Sequence, residues 1–471
     1  MLNQTLQEKY PHLEISVLKL SEVQKDNESK RIDSEFFKKE YFDAMETMQL
    51  NQVEYLGDNM KFNSRYSQPK YDETSKIKVI NSQYIRNEYI DYENAKSGYG
   101  KIVPKESVLI NATGVGTLGR VFINILDFDF SIDSHINVIV VKNKTYLNPY
   151  FLAIFLQSYY GQIQIIRYYS GTSGQIEIYP RDFNYFKIPI FPMEFQLEIQ
   201  NLVKDSHKAL EESKELYKKA EETLYLELGL DPKNPLQSLL DSKIDHSIKS
   251  LNISIRTLKE SFLKTGRLDS EYYQSKYEDI EKFIKSYPNG YDSFSSIINN
   301  KDTNFTPKNN ENYSYIELAN IGNNGNISEP ISDLGKNLPT RARRIVSKGD
   351  VIISSIEGSL SSCALITQEF DKHLVSTGFF VLNSKLLNGE TLLVMFKSQI
   401  FQEYLKKFSS GTILCAINKE ELSKILIPKI DSTTQEKIAK YIQESFNLRK
   451  KSKQLLDNAK IKVEEQIQGK I

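Results

Sequence analysis

The sequence predicts an α/β chain built twice. Two similar domains with curled, mostly antiparallel sheets are joined by two long helices that form an antiparallel coiled coil. Three observations carry this expectation. Short landmarks recur in the same order through both halves. A heptad seam recurs at a fixed offset near the end of each half. Alternating β-branched segments precede apolar segments of helical period in each copy.

The landmarks begin with "LEISV" from Leu13 and "LNISI" from Leu251, then "RIDSEFFKKEY" from Arg31 and "RLDSEYYQSKY" from Arg267. "VLIN" from Val108 answers to "VIIS" from Val351, and "GTL" from Gly116 to "GSL" from Gly358. "SGT" at Ser170 recurs at Ser410, and "KIPIF" at Lys187 becomes "LIPKI" at Leu426. The offset drifts only from 236 (Arg31 to Arg267) to 243 (Val108 to Val351) and back to 240 (Ser170 to Ser410). Between landmarks the halves have diverged, which suggests one scaffold carrying two recognition surfaces. Within it, "KIVPKESVLINATG", "VFINI" and "HINVIVV" read as strands, and "NPYFLAIFLQSYYGQIQII" and "LLVMFKSQIFQEYLKK" as helices.

Each half ends in a long helix. The first seam is Ile199, Leu202, Ser206, Ala209, Ser213, Leu216, Ala220 and Leu224. The second is Ile438, Tyr441, Ser445, Leu448, Ser452, Leu455, Ala459 and Val463, 239 residues further on. Ile199, Leu202, Ala209, Leu216 and Leu224 are expected to pack on Ile438, Tyr441, Leu448, Leu455 and Val463. The small seam residues let the backbones approach. About 35 residues at 1.5 Å each give a rod of roughly 50 Å. "IPIFPMEF" opens the first helix and "ELGLDPKNPLQ" closes it. The expected boundaries are 1–192 and 251–429 for the domains, 193–230 and 430–471 for the helices, and 231–250 for a linker.

A chain of 471 residues has room for two or three cores. It has 39% hydrophobic and 26% charged residues, and no apolar run long enough for a membrane helix. The start, "MLNQTLQEKYPHLEISV", lacks the order of a secretory signal, and Cys363 and Cys415 are too few for a disulfide framework. A cytoplasmic location is therefore expected. Lysine plus arginine equals aspartate plus glutamate at 61 each, so DNA binding would need local basic patches or a basic partner. The five histidines (His12, His135, His207, His246 and His373) lack metal-ligand spacing, and no metal site is expected.

Two fragments invite a catalytic reading. "NATGVGTLGRVFI" holds Gly114, Gly116 and Gly119 in a GxGxxG spacing, which cradles a dinucleotide or S-adenosylmethionine when a strand precedes it and a helix follows. Here the following segment alternates like strands, and the copy, "SSIEGSLSSCALI", keeps only Gly358. "LNPYF" approaches the Asn/Asp-Pro-Pro-Tyr/Phe loop of amino-methyltransferases but lacks the second proline, and Pro149 suits the first turn of a helix. No catalytic residue is expected in this chain.

The two divergent domains, each followed by a helix entered through an Ile-Pro-x-x-x-x-x-x-Gln junction, resemble the specificity subunit of type I restriction–modification systems. "RIDSEFF", "RLDSEYY", "SGTSGQIEIYPRDFNYFKIPIFPMEFQLEI", "SSGTILCAINKEELSKILIPKIDSTTQEKI", "FTPK" and "SKGDVIISS" carry the resemblance. It implies two target-recognition domains, each reading half of a bipartite DNA site. It also implies that the paired helices act as a ruler and dock two methyltransferase subunits. S-adenosylmethionine, ATP and magnesium would then belong to the methyltransferase and motor–nuclease subunits, with no cofactor in this chain.

On that reading the DNA-binding candidates of the first half lie in "MKFNSRYSQPKY": Lys61, Asn63, Arg65, Tyr66 and Lys70. Those of the second half are Lys308 and Asn309 in "TPKNN" and Arg341, Arg343 and Arg344 in "TRARR". Cations suit phosphates, and Asn and Arg suit base edges. The "SGTSGQ" loop and its copy are expected to be a shared structural turn. Two rival readings are a self-sufficient S-adenosylmethionine-dependent DNA methyltransferase and a coiled-coil scaffold that reads no DNA.

Overall fold

The computed structural model describes residues 2–15, 17–25, 27, 29–171, 174–241, 255–322, 324–411 and 415–470. Residues 242–250 of the expected linker, with His246, lie outside the described residues, as do Ser16, Leu251–Ser254, Thr172, Ser173 and Thr412–Leu414 of the repeated landmarks. The chain divides into two compact units, one of residues 1–210 with 449–471 and the other of residues 211–448. The division cuts both long helices, Met193–Glu227 and Ser432–Ile467, so each unit holds part of each helix.

In the first unit an antiparallel sheet runs in the order Met60–Arg65, Ile136–Val141, Val108–Asn111, Val121–Ile123. A second sheet runs Lys70–Tyr71, Lys96–Tyr99, Lys78–Ile80, Phe130–Ile132, and only its last pair is parallel. The strand Val108–Asn111 shows why "VLIN" is apolar throughout. Successive side chains of a strand point to opposite faces. Val108 and Ile110 enter a core with the helices Pro149–Gln157 and Tyr159–Tyr168, whereas Leu109 enters a core shared with Ile80, Phe130 and Ile132 of the second sheet.

The second unit repeats the plan. Its first sheet is Ile298–Asn300, Phe379–Ser384, Val351–Ser354, Cys363–Leu365, again antiparallel. Val351 and Ile353 meet the helices Gly389–Lys397 and Gln399–Lys406 in one core, and Ile352 turns to another. Its second sheet is Ile331–Leu334, Asn312–Ile316, Leu374–Ser376, Ala342–Ile345, with one parallel pair, Asn312–Ile316 beside Leu374–Ser376. Each unit also has a short antiparallel pair before its long helix: Val53–Tyr55 with Lys187–Pro189, and Tyr291–Ser293 with Leu426–Pro428.

The helices pair antiparallel within each unit. In the first, Ser206 Oγ lies 2.9 Å from Ser452 Oγ, and Glu198 meets Lys462 at 2.7 Å, so contacts earlier in one helix fall later in the other. In the second, Ser213 Oγ lies 3.1 Å from Ser445 Oγ, and Thr434 Oγ1 donates to Glu227. The buried row differs in phase from the expected seam at alternate steps. Ile199, Val203, Ser206, Leu210, Ser213, Tyr217, Ala220 and Leu224 are buried, as are Ile438, Ile442, Ser445, Ser452, Leu456, Ala459 and Val463. Ala209 is also buried, while Leu202, Leu216, Tyr441, Leu448 and Leu455 are half-buried beside the row.

Candidate nucleic-acid interface

The repeated landmarks are braces made largely to main-chain atoms. Arg31 grips Asp33 with two nitrogens, both at 2.7 Å, and donates to the carbonyls of Arg167 and Tyr169 at the end of the helix Tyr159–Tyr168. Arg267 does the same with Asp269 and the carbonyls of Lys407 and Ser409. The Arg31 guanidinium holds the Asp33 carboxyl below its ordinary pKa. Gln196 accepts from the Asn148 N–H and donates to the carbonyls of Tyr146 and Phe191; Gln435 accepts from Asn388 N–H and donates to those of Leu386 and Ile430. The Ile-Pro…Gln junction is thus the bolt between each domain and its long helix.

The glycine loop is a turn between the strands Val108–Asn111 and Val121–Ile123. Gly116 has φ +79° and Gly119 φ +81°, a left-handed backbone that glycine adopts without strain. The Gly119 N–H closes back on the Asn111 carbonyl, and a strand follows where a phosphate cradle needs a helix. Asn148 caps the helix Pro149–Gln157 by accepting from the Tyr150 N–H, and Asn388 caps the corresponding helix through Thr391. Both fragments that suggest catalysis therefore have structural work. The turns also meet the Ser-Gly-Thr segments in both units, through the bridges Thr113 to Glu177 and Ile356 to Ala416.

The candidate DNA contacts fall into two groups. Lys61 and Lys70 are exposed on strands of the first unit, and Arg341, Lys308 and Asn309 are exposed in the second. Lys308 pairs with Glu311 at 2.8 Å. The others are engaged in holding the fold. Asn63 donates to the Pro180 carbonyl and accepts from Asn137. Arg65 is held by Glu177 and the Ile178 carbonyl, behind the Ser-Gly-Thr segment. Tyr66 is buried, and its ring with that of Phe62 lies under the Lys101 ammonium at 4.7 and 4.8 Å.

Arg344 is buried, donates to the Phe379 carbonyl, and has its pKa lowered by desolvation. Arg343 is half-buried and donates to the Thr340 carbonyl and to Thr306 Oγ1, tying its strand to the segment before Lys308. A cleft of about 480 Å³ lined by residues 299–305 and Ile345 adjoins this strand. The structure thus brings Arg343 to the Thr-Pro-Lys segment, and holds Arg65, Tyr66 and Arg344 inside. Lys101, in "KSGYGK", is a cation beside these candidates that the sequence reading did not single out.

Among the described residues no group of three or more His, Cys, Asp or Glu is placed to hold a metal ion, and no helix is long and apolar enough to cross a membrane.

Comparison with known proteins adds the family. The model of the type I restriction modification DNA specificity domain matches residues 43–222 and 293–458, more than half of the chain and once in each half. A type I restriction enzyme HindI specificity subunit from Haemophilus influenzae is 29% identical over 129 residues, 26% of this chain. The match spans 28% of that relative's length. Among solved structures, the S subunit of a type I restriction–modification system from M. genitalium has 14% identity and a TM-score of 0.40, covering 89% of this chain and 95% of that one. The HsdS subunit from Thermoanaerobacter tengcongensis has 14% identity and a TM-score of 0.27, covering 89% and 97%. By the extent of the family match, this chain belongs to the type I restriction modification DNA specificity family.

Proposed function

We propose that the chain is the sequence-reading subunit of a type I restriction–modification complex. Its recognition domains, residues 1–192 and 251–429, each read one half of a bipartite duplex target. The long helices dock two methyltransferase subunits. The chain itself performs no chemistry; S-adenosylmethionine serves the methyltransferases, and ATP and magnesium serve motor–nuclease subunits where these join. The complex works in the cytoplasm, where its DNA is.

The observation that carries this reading is the duplication. Both halves match the same DNA specificity model, and both repeat the same arginine clamp and glutamine bolt, while the sequences between have diverged. Shared scaffold with divergent surface is what two different half-sites require. Neutral net charge is compatible with it, because partner subunits can supply much of the phosphate contact. Lys61, Lys70, Lys308, Asn309 and Arg341 are the candidates whose exposure suits DNA contact; Asn63, Arg65, Arg343 and Arg344 contribute by holding main-chain carbonyls, and Tyr66 by packing its ring.

The test is co-expression with its methyltransferase partner and genome-wide mapping of methylated adenines. One bipartite motif is expected. Methylation without sequence preference, or none in an assembled complex, would overturn the reading.

A further inference from the structure

A surface that reads a different half-site in each unit is to be sought where the two units differ. The second sheets can be aligned on their single parallel pairs, Lys78–Ile80 with Phe130–Ile132 and Asn312–Ile316 with Leu374–Ser376. That alignment sets Lys96–Tyr99 against Ile331–Leu334, the neighbour of the parallel pair in each sheet. Outside Lys96–Tyr99 the first unit adds one more strand, Lys70–Tyr71. The matching stretch of the second unit, residues 301–311, has no strand.

This extra ribbon carries basic and aromatic side chains into solvent. Lys70 lies directly opposite Tyr99, so the two share a face, and Lys101 follows just beyond the strand. Tyr71 lies opposite Gly98, which places Tyr71 and Lys96 on the other face. Tyr99 is 53% and Tyr71 43% exposed, and Lys70, Lys96 and Lys101 are exposed. Among the described residues none of these three lysines has a carboxylate partner. The Lys101 ammonium is instead positioned by the rings of Phe62 and Tyr66. That keeps its charge available to an anion and limits the side-chain entropy lost on binding.

The ribbon is also thin by construction. A Cβ on Gly98 would lie 2.6 Å from the Lys70 carbonyl oxygen, and one on Gly100 would lie 2.2 Å from Ser131 Oγ. Glycine is therefore needed at 98 for the two strands to pack this closely, and at 100 for the chain to pass Ser131. The major groove of B-form DNA admits a two-stranded ribbon, and a ribbon with side chains on both faces meets both walls and floor.

We propose that Lys70–Tyr71 with Lys96–Lys101 is the DNA-reading ribbon of the first domain, entering the major groove of one half-site. Lys70 and Lys101 contact phosphates; Tyr71 and Tyr99 contact base edges through their hydroxyls and ring edges. This rests on the DNA-reading function proposed above.

The experiment uses the full chain in complex with its methyltransferase subunits. The wild-type motif is mapped first by adenine methylation. Duplexes carrying that motif, and each single-base change of it, are then titrated at several salt concentrations. Lys70→Ala and Lys101→Ala should each weaken binding to all duplexes by a similar factor and lower the salt slope by about one. Tyr71→Ala and Tyr99→Ala should each lose about tenfold discrimination at a position in one half-site, with the other half-site unchanged.

Assembly and melting temperature report folding. Where an alanine variant fails to assemble, Tyr99→Phe and Tyr71→Phe remove only the hydroxyl and Lys70→Gln only the charge, and they give the same readout. Assembled variants with an unchanged motif and an unchanged salt slope would overturn the proposal. So would relaxation confined to the half-site that changes when residues 251–429 are exchanged. If the wild-type complex itself yields no bipartite motif, it is the DNA-reading function that fails, a result distinct from either.

Discussion

At the scale of single residues, the most informative side chains are the arginines of the repeated clamps. Arg267 has a side chain only 12% exposed, and it donates to the Lys407 carbonyl at the end of the helix Gln399–Lys406 and to the Ser409 carbonyl just beyond it. Arg267→Ala should destabilise the second unit by about 3 kcal/mol, the scale of losing charge-assisted bonds to partly buried groups. Thermal unfolding of the chain checks this; a loss below the error of the measurement would show that water replaces the clamp. The acid side of the pair gives a pH prediction. The folded Asp33 has a depressed pKa, so its contribution is full above the ordinary carboxylate value of about 3.9 and is lost as pH falls through the lower folded value. Asp33→Asn should therefore lower the melting temperature at pH 7, and the gap to wild type should close below about pH 4. A gap constant from pH 7 to pH 3 would assign the effect to packing. These arginines were legible in the sequence because they recur. Arg65 and Arg344 were not: nothing in "NSRYS" or "TRARR" distinguishes a guanidinium held by a main-chain carbonyl from one held by water.

At the scale of elements, the paired helices show both the reach and the limit of periodicity. The offset of 239 predicts their equivalence, and the structure repeats it in a bond. Ser206 Oγ donates to the Ser452 carbonyl in the first unit, and Ser445 Oγ to the Ser213 carbonyl in the second, each joining equivalent partners of the repeat. The phase of the seam was less legible, because apolar residues stand side by side at Leu202 and Val203, Ala209 and Leu210, and Leu216 and Tyr217. A 3-4 spacing fits either member; burial follows whichever packs against the partner and the domain core, and here Val203 and Leu210 sit deeper than Leu202. The asymmetry of the serines leads to a testable ranking. Ser445→Ala loses the donor to a buried carbonyl and should cost about 1 kcal/mol, whereas Ser213→Ala keeps that bond and should cost less. Ser213→Leu forces a large side chain between close backbones and should cost about 1–3 kcal/mol. Denaturant titration of the three variants gives the order directly, and equal losses for the two alanine variants would refute the assigned donor.

At the scale of the whole molecule, the polar attachment of each domain to the helices runs largely through main-chain groups, beside an apolar core that helix residues such as Leu224 and Ile438, or Ile199 and Val463, share with the domain; together these make exchange between related domains feasible. Gln435 holds the domain by the Asn388 N–H and the Leu386 carbonyl, and the Tyr225 hydroxyl accepts from the Gln399 N–H. Any domain with the same backbone offers these groups, whatever its side chains. The Arg267 clamp closes on carbonyls at 407 and 409, so an exchange of residues 251–429 carries the clamp and its partners together. The cores behind the strand Val351–Ser354 also lie largely within that span. Replacing residues 251–429 by the corresponding segment of a relative with a different target should therefore leave assembly intact. The mapped methylation motif should change in one half only, with the other half and the spacer preserved. A motif altered in both halves would mean that the reading surface is shared between domains. An unaltered motif would mean that residues 251–429 do not read DNA at all. The result expected is the one that this attachment permits: new specificity on one side, carried by a scaffold that needs the same main-chain groups and a matching apolar core but not the same reading surface.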